Sequence, residues 1–267
     1  MKLAVSNIAW KNDEFHKFYE LLSSLNCSGV EIAPSKLWGD PSDISKENIT
    51  LFLSDMKKNK LEFLGFHSLL YGRKDLQLFK DNESRVNAKN FLFKLIELCS
   101  KLNGKNLVFG SPQNRKTFNN KNADEIGKLF FDEVANYAKK YGIFICLEPL
   151  DISMTNFLNS IQETGDFIYQ VRNPNLKLHI DTKSFLLSKE SIENNIIKFG
   201  QIIKHVHISD KDLNELNDDT EIHKELANSL IKINYDEYLS LEMRRIENNE
   251  INSIKKSVKF IKENYLN

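Results

Sequence analysis

The feature that most constrains the fold of this chain is a repeated pattern: an amphipathic run, a turn residue, then a short apolar run that ends in polar residues. In FLFKLIELCSKL the apolar residues recur at the three-to-four spacing of a helix face, whereas NLVF and IFICLE have the length of buried strands. The pattern predicts strands near residues 2–8, 29–33, 61–68, 105–110, 143–148, 176–181, 203–208 and 238–242. It predicts helices near 13–25, 45–59, 83–102, 122–141, 160–172, 189–199, 222–232 and 250–265.

Strict alternation of strands and helices predicts parallel strands with crossover helices, and eight such units are the number that closes into a (β/α)8 barrel of about 250 residues. A doubly wound open sheet is the alternative, but SNIAW follows the first strand where such a sheet would carry Gly-x-Gly-x-x-Gly. No Pro/Gly/Ser-rich linker interrupts the 267 residues. We therefore expect an α/β protein with one domain, a single TIM barrel over residues 1–267, whose chemistry lies at the carboxyl ends of the strands.

Turn residues stand before several predicted strands. They are Gly29, Asn59, Gly104 and Gly142. Because glycine and asparagine tolerate the left-handed conformation, we expect them to close the preceding helices.

Composition narrows the classes of function. Lys+Arg 37 balances Asp+Glu 37, which argues against a protein built mainly to hold nucleic acid or an anionic membrane. No apolar run is long enough to predict a transmembrane helix, and the N-terminus is typical of a first strand rather than a signal peptide. The chain has three cysteines, an odd number, and they lie far apart in the sequence: Cys27, Cys99 and Cys146. This pattern indicates reduced core residues and hence a cytoplasmic protein.

Each of the last four predicted strands ends in a side chain that can bind a metal. They are Glu148 in CLEP, Asp181 in HIDT, His207 in HVHIS and Glu242 in SLEMR, with spacings of 33, 26 and 35 residues. A lone acidic residue here is equally well explained as the N-cap of the next helix, but four on consecutive strands favour one shared site above the barrel axis. Three carboxylates and one imidazole suit one divalent cation of Mn, Mg, Co or Zn, and the lack of thiolates disfavours a structural zinc site.

Together with GVEIAP near the second strand, these four strand ends resemble the xylose isomerase-like TIM barrels. That family includes sugar and sugar-phosphate isomerases and epimerases, ketose 3-epimerases, hydroxypyruvate isomerase, inosose dehydratase and endonuclease IV. The resemblance covers nearly the whole chain. It implies that Glu148, Asp181, His207 and Glu242 bind one divalent metal, and that Glu148 and Glu242 are the catalytic acid/base pair. Such a pair removes and returns a proton beside a carbonyl, through an enediolate that the metal stabilises.

The sequence departs from the ketose 3-epimerases just after Asp181. Those enzymes usually carry a histidine three residues after the aspartate, whereas DTKSF places Ser184 there and adds the cation of Lys183 near the mouth of the barrel. Endonuclease IV uses the same histidine position for one of three zinc ions, so Ser184 and the zero net charge argue against cleavage of abasic DNA. The changed loop also weakens a specific ketose 3-epimerase assignment, because this loop helps to hold the substrate.

Further polar residues stand near the predicted strand ends. Strand alternation points His179 and His205 into the barrel, where we expect them to support the metal ligands by hydrogen bonds rather than to bind the metal. The candidates for substrate binding are Glu31, His67, Asn114, Arg115, Lys183 and Arg244. For Glu31 a capping or solvated role is an equal alternative, and for the arginines a surface ion pair competes with bidentate contacts to hydroxyl or phosphate oxygens.

The sequence therefore favours a cytoplasmic, divalent-metal-dependent isomerase or epimerase of a small carbohydrate or sugar phosphate. A keto-polyol or keto-sugar dehydratase, as in the inosose dehydratase branch, would begin with the same proton abstraction and is the runner-up. A non-catalytic sugar-binding barrel is the third alternative, which the presence of both glutamates disfavours. We expect a small-molecule carbohydrate substrate as the partner, and neither nucleic acid nor a membrane. Analogy with the family leaves both a monomer and a homo-oligomer as alternatives.

Overall fold

Eight parallel strands form a closed barrel in chain order. The structure is a computed structural model and describes residues 1–188, 190–216 and 220–266. The strands are β1 (Lys2–Ser6), β2 (Gly29–Ile32), β3 (Glu62–Phe66), β4 (Asn106–Phe109), β5 (Phe144–Leu147), β6 (Leu176–Asp181), β7 (Ile203–Ile208) and β8 (Tyr238–Leu241). The barrel closes where β1 pairs with β8, with Leu3 opposite Leu239 and Val5 opposite Leu241. The predicted (β/α)8 barrel is confirmed.

Helices follow the strands around the outside of the barrel. They are α1 (Phe15–Ser24), α2 (Pro34–Trp38), α3 (Lys46–Asn59), α4 (Asn82–Lys101), α5 (Ala123–Lys139), α6 (Ile161–Val171), α7 (Thr182–Leu187), α8 (Ile192–Phe199), α9 (Thr220–Lys232) and α10 (Glu250–Tyr265). The eight predicted helices agree with these to within a few residues at their ends. The short helices α2 and α7 were not predicted, because five or six residues are too few to show a helical period.

The prediction for the turn residues is correct at one position. Gly142 adopts the left-handed conformation, with φ 67°. At the other three turns a neighbouring residue adopts it instead, and these are Asn26, Lys60 and Asn103. Gly29 is needed for a different reason, since it lies inside β2 and a Cβ there would come within 2.4 Å of Leu64 Cδ1.

Strand alternation separates an apolar outer layer from a barrel interior that becomes polar toward the carboxyl ends. In β7, Val206 and Ile208 belong to the large hydrophobic core, while His205 and His207 occupy the alternate positions. A separate small cluster of Ala4, Leu64 and Tyr238 lies near the amino ends of the strands. His205 and His207 are therefore held inside the barrel, toward the end where the loops form a site.

The cysteines lie where the sequence predicted them. Cys27, Cys99 and Cys146 are buried and unpaired, and burial raises the pKa of the Cys27 thiol to about 12. Within the ranges that the structure describes, none of the helices is long and apolar enough to span a membrane.

Candidate metal centre and active site

The four strand-end residues meet above the barrel axis. Glu148 directly follows β5, Asp181 ends β6, His207 is the penultimate residue of β7, and Glu242 directly follows β8. Each is buried, with at most 7% of its surface exposed. Asp181, His207 and Glu242 offer ligand atoms within 4.8 Å of one another, and Glu148 and Asp181 do the same with His179. The structure thus brings together the residues that the sequence predicted to share one site.

The candidate ligand atoms at this centre face charged groups. Glu148 Oε1 and Asp181 Oδ2 are buried and face the Lys183 ammonium, and His207 Nδ1 is buried and faces Glu242 Oε2 at 3.4 Å. The other atoms of two of these side chains are engaged: Asp181 Oδ1 accepts from Lys183 N at 3.0 Å and from Ser209 Oγ, and His207 Nε2 is hydrogen-bonded to Glu31 Oε2 at 2.7 Å. Converging carboxylate oxygens and an imidazole nitrogen form a donor set that fits a divalent cation.

A lysine ammonium lies among the three carboxylates. Lys183 Nζ is 2.6 Å from Asp181 Oδ2, 2.9 Å from Glu148 Oε1 and 3.3 Å from Glu242 Oε2. The sequence predicted this residue near the mouth of the barrel as a contact for the substrate. The structure places its ammonium inside the centre, in direct contact with three of the four candidate metal ligands.

The two glutamates of the centre differ in their electrostatic environment. Burial raises the pKa of Glu148 above its ordinary value, although the Lys183 ammonium opposes the rise. Burial acts in the same direction on Glu242, but Lys183 and His207 together hold the pKa of Glu242 well below its ordinary value. The centre thus contains one carboxyl group that tends to keep its proton and another that tends to lose it.

A layer of buried polar residues supports the centre from inside the barrel. Glu31 is fully buried; its Oε1 lies 3.0 Å from His205 Nε2, and its Oε2 accepts a hydrogen bond from Ser240 Oγ at 2.9 Å. The His179 ring lies in contact with both His205 and His207, with centroids 5.4 and 4.2 Å apart. His179 and His205 are buried inside the barrel, but neither ring nitrogen of His179 has a hydrogen-bond partner among the described residues. Their supporting role therefore stays a prediction. The substrate-binding prediction for Glu31 is corrected, because this carboxylate is sealed beneath His207.

A cavity of about 490 Å³ opens directly on the centre. Glu148, Glu242, Lys183 and His67 line it, and the loops after β3, β4 and β5 supply the rest of its wall. His67 Nδ1 lies 3.3 Å from Glu242 Oε1, and its Nε2 is hydrogen-bonded to Ser6 Oγ at 2.6 Å. The volume is within the range of small-molecule sites, so a ligand in this cavity would contact both glutamates.

Comparison with known proteins agrees with this architecture. A sequence model of the xylose isomerase-like TIM barrel family matches residues 19–264. The chain belongs to this family. It is 31% identical over 133 residues to the D-psicose 3-epimerase of Ruminiclostridium cellulolyticum, which is 48% of this chain and 45% of that protein. It is 31% identical over 77 residues to the L-ribulose 3-epimerase of a Methylomonas species, 29% of this chain and 27% of that protein. These matches span less than half the length of the curated relatives.

Solved structures resemble the whole barrel. The D-psicose 3-epimerase of Clostridium cellulolyticum, crystallised with D-tagatose, superposes with a TM-score of 0.87 at 21% identity and covers 99% of both chains. The 3-keto-D-glucoside 4-epimerase of E. coli superposes with a TM-score of 0.82 at 16% identity, covering 98% of this chain and 99% of that one. At these identities the likeness shows the fold that the xylose isomerase-like barrels share.

Of three loop residues predicted to bind substrate, Asn114 lines the cavity, whereas Arg115 and Arg244 do not. Both amide hydrogens of Asn114 are engaged, since Nδ2 donates to Arg73 O and Leu76 O at 2.7 Å each. Arg115 is fully buried outside the cavity, where burial lowers its pKa to about 10. Arg244 is exposed and donates to Asn214 Oδ1 at 2.6 Å, also outside the cavity. Asn114 thus holds a loop at the cavity wall, and its contact with substrate stays a prediction, whereas neither arginine lines the cavity.

Gly110 directly follows β4 and was not predicted to belong to the site. A Cβ at this position would come within 2.2 Å of Glu148 Oε2, so only glycine leaves room for that carboxylate. The sequence feature that could have predicted this role is a glycine, in FGSP, directly after a strand. Ser184 Oγ donates to Pro149 O at 3.4 Å.

Proposed function

We propose that this protein is a divalent-metal-dependent isomerase or epimerase of a small carbohydrate or sugar phosphate. In this proposal Glu148, Asp181, His207 and Glu242 hold the cation. The observation that carries it is the convergence of buried ligand atoms at the carboxyl end of the barrel. Those of Asp181, His207 and Glu242 lie within 4.8 Å of one another, and so do those of Glu148, Asp181 and His179. A divalent cation there would offset the negative charge of three buried carboxylates, which the single Lys183 ammonium balances only in part.

Epimerisation of a ketose beside its carbonyl is the reaction we place first. The relatives with matching sequence segments are named as ketose 3-epimerases, and the fold covers such enzymes from end to end. The cavity also meets the geometric need of the reaction. Glu148 and Glu242 both line it, from strands separated by two others, so a substrate lying between them would present opposite faces of one carbon to the two carboxyl groups.

The proposed chemistry is a proton transfer from one face of the substrate and back to the other. One glutamate removes the proton from the carbon beside the carbonyl, and the second returns a proton on the opposite face, so the configuration inverts. A bound divalent cation supplies electrostatic stabilisation of the negative charge that develops on the substrate oxygens. Glu242, whose pKa is lowered, is the carboxyl group that stays ionised and has room for a proton, and Glu148, whose pKa is raised, is the one that more readily keeps a proton to donate.

His67 is the other side chain of the cavity to which we assign a role. Its Nδ1 is within 3.3 Å of Glu242 Oε1, and its Nε2 is fixed by Ser6 Oγ. We infer that it orients Glu242 and touches the substrate on the same side. This role separates His67 from His179 and His205, which lie below the centre.

The test is exchange of the substrate's carbon-bound proton in D2O, followed by NMR on a panel of keto-sugars with added Mn²⁺. Glu148→Gln and Glu242→Gln should each reduce exchange by about 10²–10⁴-fold, because each removes one of two proton-transferring groups. Glu62→Gln is the matched control, since Glu62 begins β3 at the opposite end of the barrel with 67% of its side chain exposed. Circular dichroism checks that all three variants keep the fold.

Two results would overturn the proposal. Exchange at the wild-type rate in both glutamine variants would remove these carboxylates from the chemistry. A product lighter than the substrate by one water would replace epimerisation with dehydration, which begins with the same proton abstraction.

A further inference from the structure

The position of Lys183 has a consequence for the cation itself. Its Nζ is within 3.3 Å of one oxygen from each of Asp181, Glu148 and Glu242. Two of those atoms, Asp181 Oδ2 and Glu148 Oε1, are fully buried and have this ammonium as their charged partner. A cation bound to the same oxygens at about 2.0–2.6 Å would have to occupy the space of the ammonium.

The chain builds Lys183 into this position. Helix α7 begins at Thr182, and the Asp181 side chain caps it by accepting from Lys183 N at 3.0 Å. The same aspartate therefore fixes the lysine backbone with Oδ1 and meets its ammonium with Oδ2. Only 13% of the Lys183 side chain is exposed, so the ammonium neutralises part of a buried group of three carboxylates.

We propose that Lys183 is the resident counter-ion of this centre and that a divalent cation binds only by displacing its ammonium toward the cavity. The inference rests on the metal site of the proposed function. Lys183 already lines that cavity, so its ammonium has a place to go when it leaves the carboxylates. It would then stand beside a bound substrate rather than among the ligands. The apparent affinity for the cation is the intrinsic affinity multiplied by the fraction of molecules in which Lys183 has left the centre.

The first experiment compares Mn²⁺ binding to the wild-type protein, Lys183→Met and Lys74→Met by titration calorimetry and by the EPR signal of free Mn²⁺. Methionine keeps the length and apolar stem of lysine without the charge. Lys74 is an exposed residue that lines the same cavity and forms no ion pair with the three carboxylates, so its variant controls for the loss of one positive charge. If Lys183 occupies the centre in nine molecules of ten, Lys183→Met binds Mn²⁺ about tenfold more tightly, and Lys74→Met binds like wild type.

Thermal melting gives a readout that is independent of activity. Without added metal, Lys183→Met should melt below wild type, because three buried carboxylates lose their counter-ion. Mn²⁺ should restore the variant and raise its Tm by more than it raises that of wild type. An equal Mn²⁺-induced rise in both proteins would overturn the inference.

Wild-type protein supplies a test that needs no folded variant. Acetylation of lysine amines, followed by peptide mass spectrometry, should modify Lys183 slowly without cation and faster with saturating Mg²⁺ or Mn²⁺. Lys36, whose ammonium donates to the backbone carbonyls of Asn7, Ile8 and Trp10, should not change and serves as the internal control.

The outcomes separate this inference from the proposed function. Tight Mn²⁺ binding by wild type with no gain in Lys183→Met, or labelling of Lys183 that cation does not increase, overturns the counter-ion role and leaves the metal site standing. If neither protein binds Mn²⁺, both proposals are overturned. Tighter binding by Lys183→Met supports the inference even if no keto-sugar in the panel is a substrate.

Discussion

Replacing Glu31 by glutamine tests whether this buried carboxylate orients His207. Glu31 Oε2 is hydrogen-bonded to His207 Nε2 at 2.7 Å, which leaves His207 Nδ1 facing Glu242 Oε2 at 3.4 Å. Glutamine has nearly the same shape but no charge, and one of its two terminal atoms can only donate. The change therefore weakens the support of His207 without opening a cavity.

The expected cost follows from the contacts of Glu31. The carboxylate meets His207, His205 and Ser240 within 3.0 Å, and none of its surface is exposed. Removing one partner of a buried charged pair costs about 3–5 kcal/mol, and we expect the lower end because glutamine keeps one acceptor. Loss of a partner that orients a metal-binding histidine lowers metal affinity about 10–100-fold, or about 1.4–2.7 kcal/mol.

Two measurements check this prediction on the same protein. Urea denaturation without metal should show a loss of about 3 kcal/mol in the free energy of unfolding, with a fall in Tm of about 6–12 °C. Titration calorimetry should show weaker Mn²⁺ binding by one to two orders of magnitude. Ser240→Ala is the matched control, because it removes one hydrogen bond to Glu31 and leaves the His207 contact in place.

Unchanged Mn²⁺ affinity in a folded Glu31→Gln protein would refute the reasoning. It would mean that His207 keeps its orientation without the carboxylate. A Ser240→Ala variant as impaired in Mn²⁺ binding as Glu31→Gln would also contradict it, since the effect would then come from packing inside the barrel.

Three further substitutions have expected outcomes. Gly110→Ala should displace the Glu148 carboxylate and reduce Mn²⁺ affinity and proton exchange about tenfold or more, with little change in Tm, because the clash is with the end of a flexible side chain. Lys36→Met should lower the free energy of unfolding by about 3 kcal/mol in urea, because three backbone carbonyls lose a charged donor. Asn114→Ala should cost about 2 kcal/mol and speed proteolysis within residues 68–78, because two buried hydrogen bonds that hold this loop are lost.

A control variant or a contradicting result checks each of these three predictions. Unaltered Mn²⁺ affinity in Gly110→Ala would show that Glu148 can bind from another rotamer. Lys58→Met changes a lysine whose side chain is 67% exposed and should leave the urea midpoint unchanged. For Asn114→Ala, cleavage at the wild-type rate would contradict the assigned contact between this residue and the loop.

The barrel and the meeting of its strand ends could be predicted because both depend on local periodicity and topology. An apolar run that ends in a polar residue shows where a strand stops, and eight parallel strands bring their carboxyl ends together whatever their detailed packing. Glu148, Asp181, His207 and Glu242 could therefore be predicted to share one site from their spacing. The buried positions of His179 and His205 followed from strand alternation in the same way.

Tertiary structure decided what each remaining polar side chain does. Glu31 and His207 are 176 residues apart, and the hydrogen bond between them depends on how two strands face each other across the barrel interior. Asn114 and Arg115 are adjacent residues in the loop after β4, and nothing in the sequence separates their roles. In the structure, Asn114 holds a loop at the cavity wall and Arg115 is buried outside the cavity. From the sequence, Lys183 was predicted to lie near the mouth of the barrel. Its ammonium lies among three carboxylates because helix α7 begins directly after Asp181 and turns the lysine side chain toward them. The physical reason is that periodicity fixes which face of an element is buried, whereas the partner of a long polar side chain depends on atoms that lie far away in the chain.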